Sequence, residues 1–116
     1  MTEQNGIRIY DQGEKPQLPE GLTADFDESM SVFGFKIVTV DGKPVAQAAS
    51  EDDYCNSEAQ RLGVSGDEIR NRVAQKQANT CRMSGWLFCS GQCPMGGDCR
   101  IVQNPNTNNY YCSCFI

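Results

Sequence analysis

CRMSGWLFCSGQCPMGGDCRIVQNPNTNNYYCSCFI, residues 81–116, decides how this chain is read. Six of its seven cysteines fall here, spaced Cys81-x7-Cys89-x3-Cys93-x5-Cys99-x12-Cys112-x-Cys114; Cys55 lies outside. A stretch this dense in thiols is either cross-linked or holds metal. A piece of about 35 residues buries too little apolar surface to fold unaided, and below ~40 residues disulfides or metal are usually needed. The whole 116-residue chain is long enough for a core of its own.

Asp98-Cys99 leads into Arg100-Ile101-Val102-Gln103, and the segment Asn104–Asn109 is a turn by composition, because Asn and Pro favour turn geometry. Tyr110-Tyr111-Cys112-Ser113-Cys114-Phe115 alternates and is aromatic. Residues 99–103 and 110–115 are therefore predicted to form a hairpin. Cys112 and Cys114, two apart on a strand, share a face. Cys89 and Cys93, four apart, share a face if their segment is helical. Giving each same-face pair a same-face partner selects Cys89–Cys112 and Cys93–Cys114 from fifteen connectivities and leaves Cys81–Cys99. Each bond would contribute ~2–4 kcal/mol by restricting the unfolded chain.

In order, Cys89-x3-Cys93, Gly97-x-Cys99 and Cys112-x-Cys114 resemble the cysteine-stabilised αβ motif of defensins and scorpion-type toxins. That family lays a Cys-x3-Cys helix against a hairpin carrying Gly-x-Cys and Cys-x-Cys. The resemblance covers Cys81 to Cys114 and implies a secreted, toxin-like or inhibitory module. This chain departs from the family in three ways. Five residues separate Cys93 from Cys99, a short spacing; Gly91 and Pro94 weaken a helix between the first two cysteines; and a long acidic half precedes the motif.

Two other uses of the thiols stay open. Cys89, Cys93, Cys112 and Cys114 could ligate a metal, as a binding or redox accessory protein would, although Cys-x2-Cys knuckles and ferredoxin-type runs are absent. A cysteine-rich tail behind an acidic leader also fits a small subunit of a larger enzyme, or a precursor peptide cross-linked after synthesis. Cys55 is the odd thiol, read as a free, buried small residue or as a link between chains.

The N-terminal half contains the clearest strand signal. Phe33, Phe35, Ile37 and Thr39 alternate with Gly34, Lys36, Val38 and Val40, and Asp41-Gly42 is a type I′ turn signature. Lys43–Gln47 would return as an edge strand, since Pro44 cannot donate to a ladder. Ile7–Tyr10 suits a short edge strand, and Gly13, Pro16, Pro19 and Gly21 make residues 11–24 an extended arm. Ser50 can cap a helix that Gly63 closes. Ser65-Gly66-Asp67-Glu68 matches a capping box for a second helix, expected to run to Gly85 with Ile69, Val73 and Cys81 inward.

Charge narrows the partners. The net charge is −5, and residues 81–116 carry Arg82 and Arg100 against Asp98. No half is basic, so nucleic acid is a poor partner. The near-neutral tail lacks the cations of a membrane-lytic peptide, and no apolar run approaches the ~20 residues of a membrane helix. With no histidine, no phosphate loop and no Ser-x-Gly elbow, classical catalysis finds little footing, and outside the metal alternative no cofactor is expected. Cysteine content points to secretion or another oxidising compartment. Residues 1–20 show no signal peptide, which leaves the cytoplasm open.

These readings converge on an α+β, small disulfide-rich domain with an acidic portion, residues 1–80, and a cysteine-rich module, residues 81–116. One N-terminal hairpin and one or two helices would precede the stapled C-terminal hairpin. The expected function is a non-enzymatic binding, toxin-like or inhibitory protein acting on a protein target. Its contact residues would be Trp86, Asn104, Asn106, Tyr110, Tyr111 and Phe115.

Overall fold

The structure, a computed structural model, describes residues 1–22, 32–74, 81–85 and 87–115. Among these are eight strands and two α-helices. Strands β1 (Thr2–Gln4), β2 (Ile7–Ile9), β3 (Phe35–Val40) and β4 (Lys43–Ala48) precede helices α1 (Glu51–Leu62) and α2 (Gly66–Ala74). Then follow β5 (Arg82–Gly85), β6 (Phe88–Ser90), a 3-10 turn (Pro94–Gly96), β7 (Asp98–Asn104) and β8 (Asn109–Phe115).

The α+β expectation is corrected here. The frame is one six-stranded antiparallel sheet in the order β1-β2-β7-β8-β3-β4, so the protein is mainly β. The N-terminal and C-terminal hairpins are not separate units, because β3 pairs directly with β8, Phe35 opposite Tyr110. Strands from both sides of residue 80 share this sheet. Nor does α2 run on to Gly85. Residues 82–85 form β5, which pairs with β6 in a small second sheet.

Local chemistry explains each turn. Asp41 and Gly42 both have positive φ, 51° and 76°, the geometry of a type I′ hairpin, and they join β3 to β4 in the predicted register. Pro44 sits on β4, at the sheet edge where a missing N–H costs no ladder bond. A second turn of the same kind, Asn5-Gly6 at φ 51° and 81°, joins β1 to β2. Residues 1–6 carried no expectation of a strand, although Asn-Gly between short alternating runs is the strongest local hairpin signal. β2 is also not an edge: it lies between β1 and β7.

Ser50 caps α1. Its hydroxyl accepts from the Asp53 amide and its own amide donates to the Asp53 carboxylate, so two orphan donors are satisfied. Gly63 at φ 71° returns its N–H to the Ala59 carbonyl and ends the helix. The Glu68 amide donates to the Ser65 hydroxyl at the start of α2.

Because side chains alternate along a strand, β7 and β8 send two sets of residues to opposite faces. One face carries Ile101, Gln103, Tyr110 and Cys112, and joins Phe35, Ile37, Ala46, Tyr10, Met83 and Leu87 in the larger core. The other carries Val102 and Tyr111, packed with Ile7, Tyr54 and Phe115 under α1. The sheet is thus covered on one side by the β5–β6 hairpin and on the other by α1. Gly34 permits the tightest approach: a Cβ there would fall 1.9 Å from the Tyr110 carbonyl oxygen, and its φ is +90°.

Candidate functional site

On the hairpin side, three disulfides bind the cover to the sheet. Cys81 pairs with Cys99, Cys89 with Cys112, and Cys93 with Cys114, with Cα separations of 5.5, 5.8 and 5.6 Å. These are the pairs that the same-face argument selects, but the carrier differs. Cys89 lies on strand β6 and Cys93 in the turn before Pro94–Gly96, so no helix presents them. In the family that the cysteine order resembles, that segment is helical.

Cys112 and Cys114 do share a face of β8, and Cys99 stands opposite Cys114 in the β7–β8 register. The four sulfurs of the metal reading are not brought together. Cys89 and Cys112 group with Cys99, and Cys93 and Cys114 group with Cys81; within each trio all sulfurs lie within 4.8 Å of one another. Cys55 is the free thiol, fully buried on α1. Burial pushes its pKa up, and the nearby Glu51 charge adds to this. A sulfur in that position does not reach a second chain while the protein is folded.

The predicted contact residues divide between interior and surface. Tyr110 stacks on Phe35 with ring centroids 5.0 Å apart. Its hydroxyl accepts from Gln103 Nε2 at 3.1 Å, and Gln103 Oε1 accepts from the Tyr10 hydroxyl at 2.9 Å. Tyr111 is buried under α1, edge-on to Tyr54 at 5.3 Å. Asn104 and Asn109, the two ends of the predicted loop, are buried too. Asn104 Nδ2 donates to Ser57 Oγ at 3.1 Å, and Asn109 Nδ2 donates to the Asp53 carbonyl at 3.2 Å. Their amides fasten α1 to the sheet. Asn106 is exposed, Phe115 is half-buried, and Trp86 lies outside the described residues.

The sequence reading passed over Glu58 and Arg61. They form a bidentate ion pair, Nε to Oε1 and Nη2 to Oε2, each 2.8 Å, with side chains only 5% and 8% exposed. Tyr111 and Ser113 of β8 donate to the same carboxylate at 2.8 and 2.9 Å. The Arg61 guanidinium lies 4.7 Å from the centroid of the Phe115 ring. Burial alone would lower the Arg61 pKa, but hydrogen bonds and charge from Glu58 hold it above its ordinary value. Burial, with the Glu58 charge beside it, raises Tyr111 well above the usual range. With every carboxylate oxygen and most guanidinium donors occupied, this network locks a helix onto a strand. Asn109, Tyr111 and Ser113 alternate as a polar strand face that needs a polar partner, but nothing in the sequence names Glu58 and Arg61 as that partner.

An exposed apolar surface flanks the disulfides. Phe88, next to Cys89 on β6, is 59% exposed, and Met95, two residues after Cys93, is 86% exposed. Next to Phe88 a shallow groove runs between the arm Asp11–Lys15 and the sheet, with Leu87, Cys89, Cys99 and Arg100 in its walls. Arg100 closes one side by pairing with Asp11 and Asp98, and Glu14 pairs with the chain amino group.

Comparison with known proteins adds one relative. The chain is 29% identical over 108 residues, 93% of its length and 94% of the other's, to the uncharacterized protein YozP of Bacillus subtilis strain 168. No protein-family model matches, and no solved structure matches. Among the described residues, no helix is long and apolar enough to cross a membrane.

Proposed function

We propose that this is a small, non-enzymatic, disulfide-stabilised binding protein that acts on a protein target through the cystine-anchored hairpin. The observation that carries the reading is the exposure of Phe88 in a hairpin tied to the sheet at the neighbouring Cys89. An aromatic side chain held in place by a covalent staple loses little conformational freedom on binding, and such side chains dominate interface energetics. The groove beside it supplies the rim: Leu87 gives an apolar wall, while Asp11, Lys15 and Arg100 give charges that set orientation. The exposed Asn106–Asn108 turn lies at the other end of β7 and β8, and the residues flanking it, Asn104 and Asn109, are the ones that fasten α1. Three disulfides suit an oxidising compartment, and a toxin-like or inhibitory use is the finer form of the same proposal.

A photo-crosslinking residue at position 88 tests it against the same residue at position 72, on the exposed side of α2. A discrete adduct from position 88, lost on oxidised chains carrying Met95→Ser, supports the hairpin surface. Equal adducts from both positions, or none from 88, would sink it. Phe88→Ser is expected to leave the melting temperature unchanged, because its ring is mostly in solvent.

A further inference from the structure

Each sulfur trio has the same composition: one closed disulfide plus one sulfur of the Cys81–Cys99 bond. Cys81 Sγ lies within 4.8 Å of both sulfurs of Cys93–Cys114, and Cys99 Sγ lies within 4.8 Å of both sulfurs of Cys89–Cys112. Cys81–Cys99 is therefore a bridge between two other disulfides, with one end against each. Its Cys99 end, with Cys89, lines the groove beside Phe88, which gives a small reagent access.

We propose that Cys81–Cys99 is the entry point of an internal thiol–disulfide relay, driven by a dithiol reductant. A thiolate of the dithiol attacks Cys99 Sγ from the groove. The Cys81–Cys99 bond breaks, a mixed disulfide forms at Cys99, and Cys81 leaves as a thiolate. Cys81 then attacks the Cys93–Cys114 bond, forms Cys81–Cys93 or Cys81–Cys114, and releases the other cysteine as a thiolate. The second thiol of the dithiol clears the mixed disulfide, leaving Cys99 reduced and the dithiol oxidised. Two electrons and two protons have entered, and two disulfides remain of three. The gap opened at the groove has moved, in part, to Cys93 or Cys114 at the far trio. A symmetrical step carries it to Cys89 or Cys112 through Cys99. Exchange of this kind needs a thiolate close to a disulfide sulfur and nothing else from the protein.

Random re-pairing makes a different prediction. Six cysteines give fifteen pairs, of which three are native. Four of the twelve non-native pairs fall within a trio: Cys81–Cys93, Cys81–Cys114, Cys89–Cys99 and Cys99–Cys112. Unfolding and scrambling would spread the non-native product over all twelve, a one-third share for these four.

The test treats the oxidised protein with one equivalent of dithiothreitol, quenches with N-ethylmaleimide at successive times, and maps labels and cross-linked peptides by mass spectrometry. The expected result is that nearly all non-native bonds are among those four, and that label at Cys99 accompanies label at Cys93 or Cys114. Labels confined to native pairs overturn the relay, and so does a one-third share for the four. A Cys93→Ser, Cys114→Ser double variant removes one acceptor bond. In it, pairs from Cys81 are expected to vanish while Cys89–Cys99 and Cys99–Cys112 persist; loss of all four also overturns the proposal. A circular dichroism spectrum matching that of the parent protein shows that the variant has kept its fold.

Discussion

The two faces of the central sheet are fixed by opposite means. On one, a hairpin with little regular structure of its own is held by three covalent bonds. On the other, a capped helix is held by a buried carboxylate, a guanidinium and two asparagine amides. A covalent bond between sulfurs demands little of its surroundings, so the β5–β6 side can keep Phe88 and Met95 in solvent. A buried ion pair demands that every donor and acceptor be met, so the inner face of α1 uses Ser57, Glu58 and Arg61 against the sheet, while its outer face carries exposed charge such as Glu51 and Asp52. The lesson is that the covalently held cover leaves two large apolar side chains, Phe88 and Met95, in solvent, whereas the helical face presents mainly charge.

Full reduction should separate the two faces most sharply. Loops closed by sequence separations of 18, 23 and 21 residues are each worth about 3 kcal/mol by chain entropy. Losing all three removes most of the roughly 5–15 kcal/mol of a small domain. The expected outcome is cooperative unfolding at 37 °C in reductant, read by far-UV circular dichroism. If the reduced chain keeps its melting temperature, the cystine face contributes nothing that the helix face does not.

Next in size is Arg61→Met. It strips the buried Glu58 carboxylate of its counter-charge and should cost about 3–5 kcal/mol in urea unfolding. The double change Glu58→Leu, Arg61→Met is expected to cost less than this single one, because no orphan charge remains. A double variant as damaged as the sum of its singles would show that the pair is not a unit. Asn104→Ala removes one buried tie between the turn and Ser57, for about 1–2 kcal/mol.

The smallest effect is one of pH. Burial raises the pKa of Cys55 and, with the neighbouring hydroxyl or carboxylate, those of Tyr110 and Tyr111. Groups with raised folded pKa values stabilise fully below their unfolded values, 9.0 for the thiol and 10.0 for the phenols, and lose that contribution as pH rises through the folded values. Stability should be flat on the alkaline side of neutrality and decline above about pH 9. A melting temperature unchanged at pH 11 would place these groups at the surface.

Much of the frame was legible because its signals are local. Asp41-Gly42 fixes a turn, Ser50 and Gly63 bound a helix, and the alternation in residues 110–115 marks a strand. The Cys89–Cys93 segment misled because four-residue spacing suits a helix, whereas Gly91 and the following Pro94 favour the turn that is present. Glu58 and Arg61 were invisible for a different reason. Three residues apart on a helix, they look like any solvated pair, and only the docking of β8 shows that they are buried. Tyr110 and Tyr111 were read as a presented pair because sequence cannot say that both faces of their strand are covered.

The strand order also bears on how the molecule is made. β7 and β8 are the middle strands of six, yet they follow the other four of that sheet along the chain. Arg8 waits for Gln103 and Phe35 for Tyr110 before either has a neighbour on that side. β2 and β3 therefore complete their pairing only once β7 and β8 are present, so the six-stranded sheet closes around the strands that carry Cys99, Cys112 and Cys114.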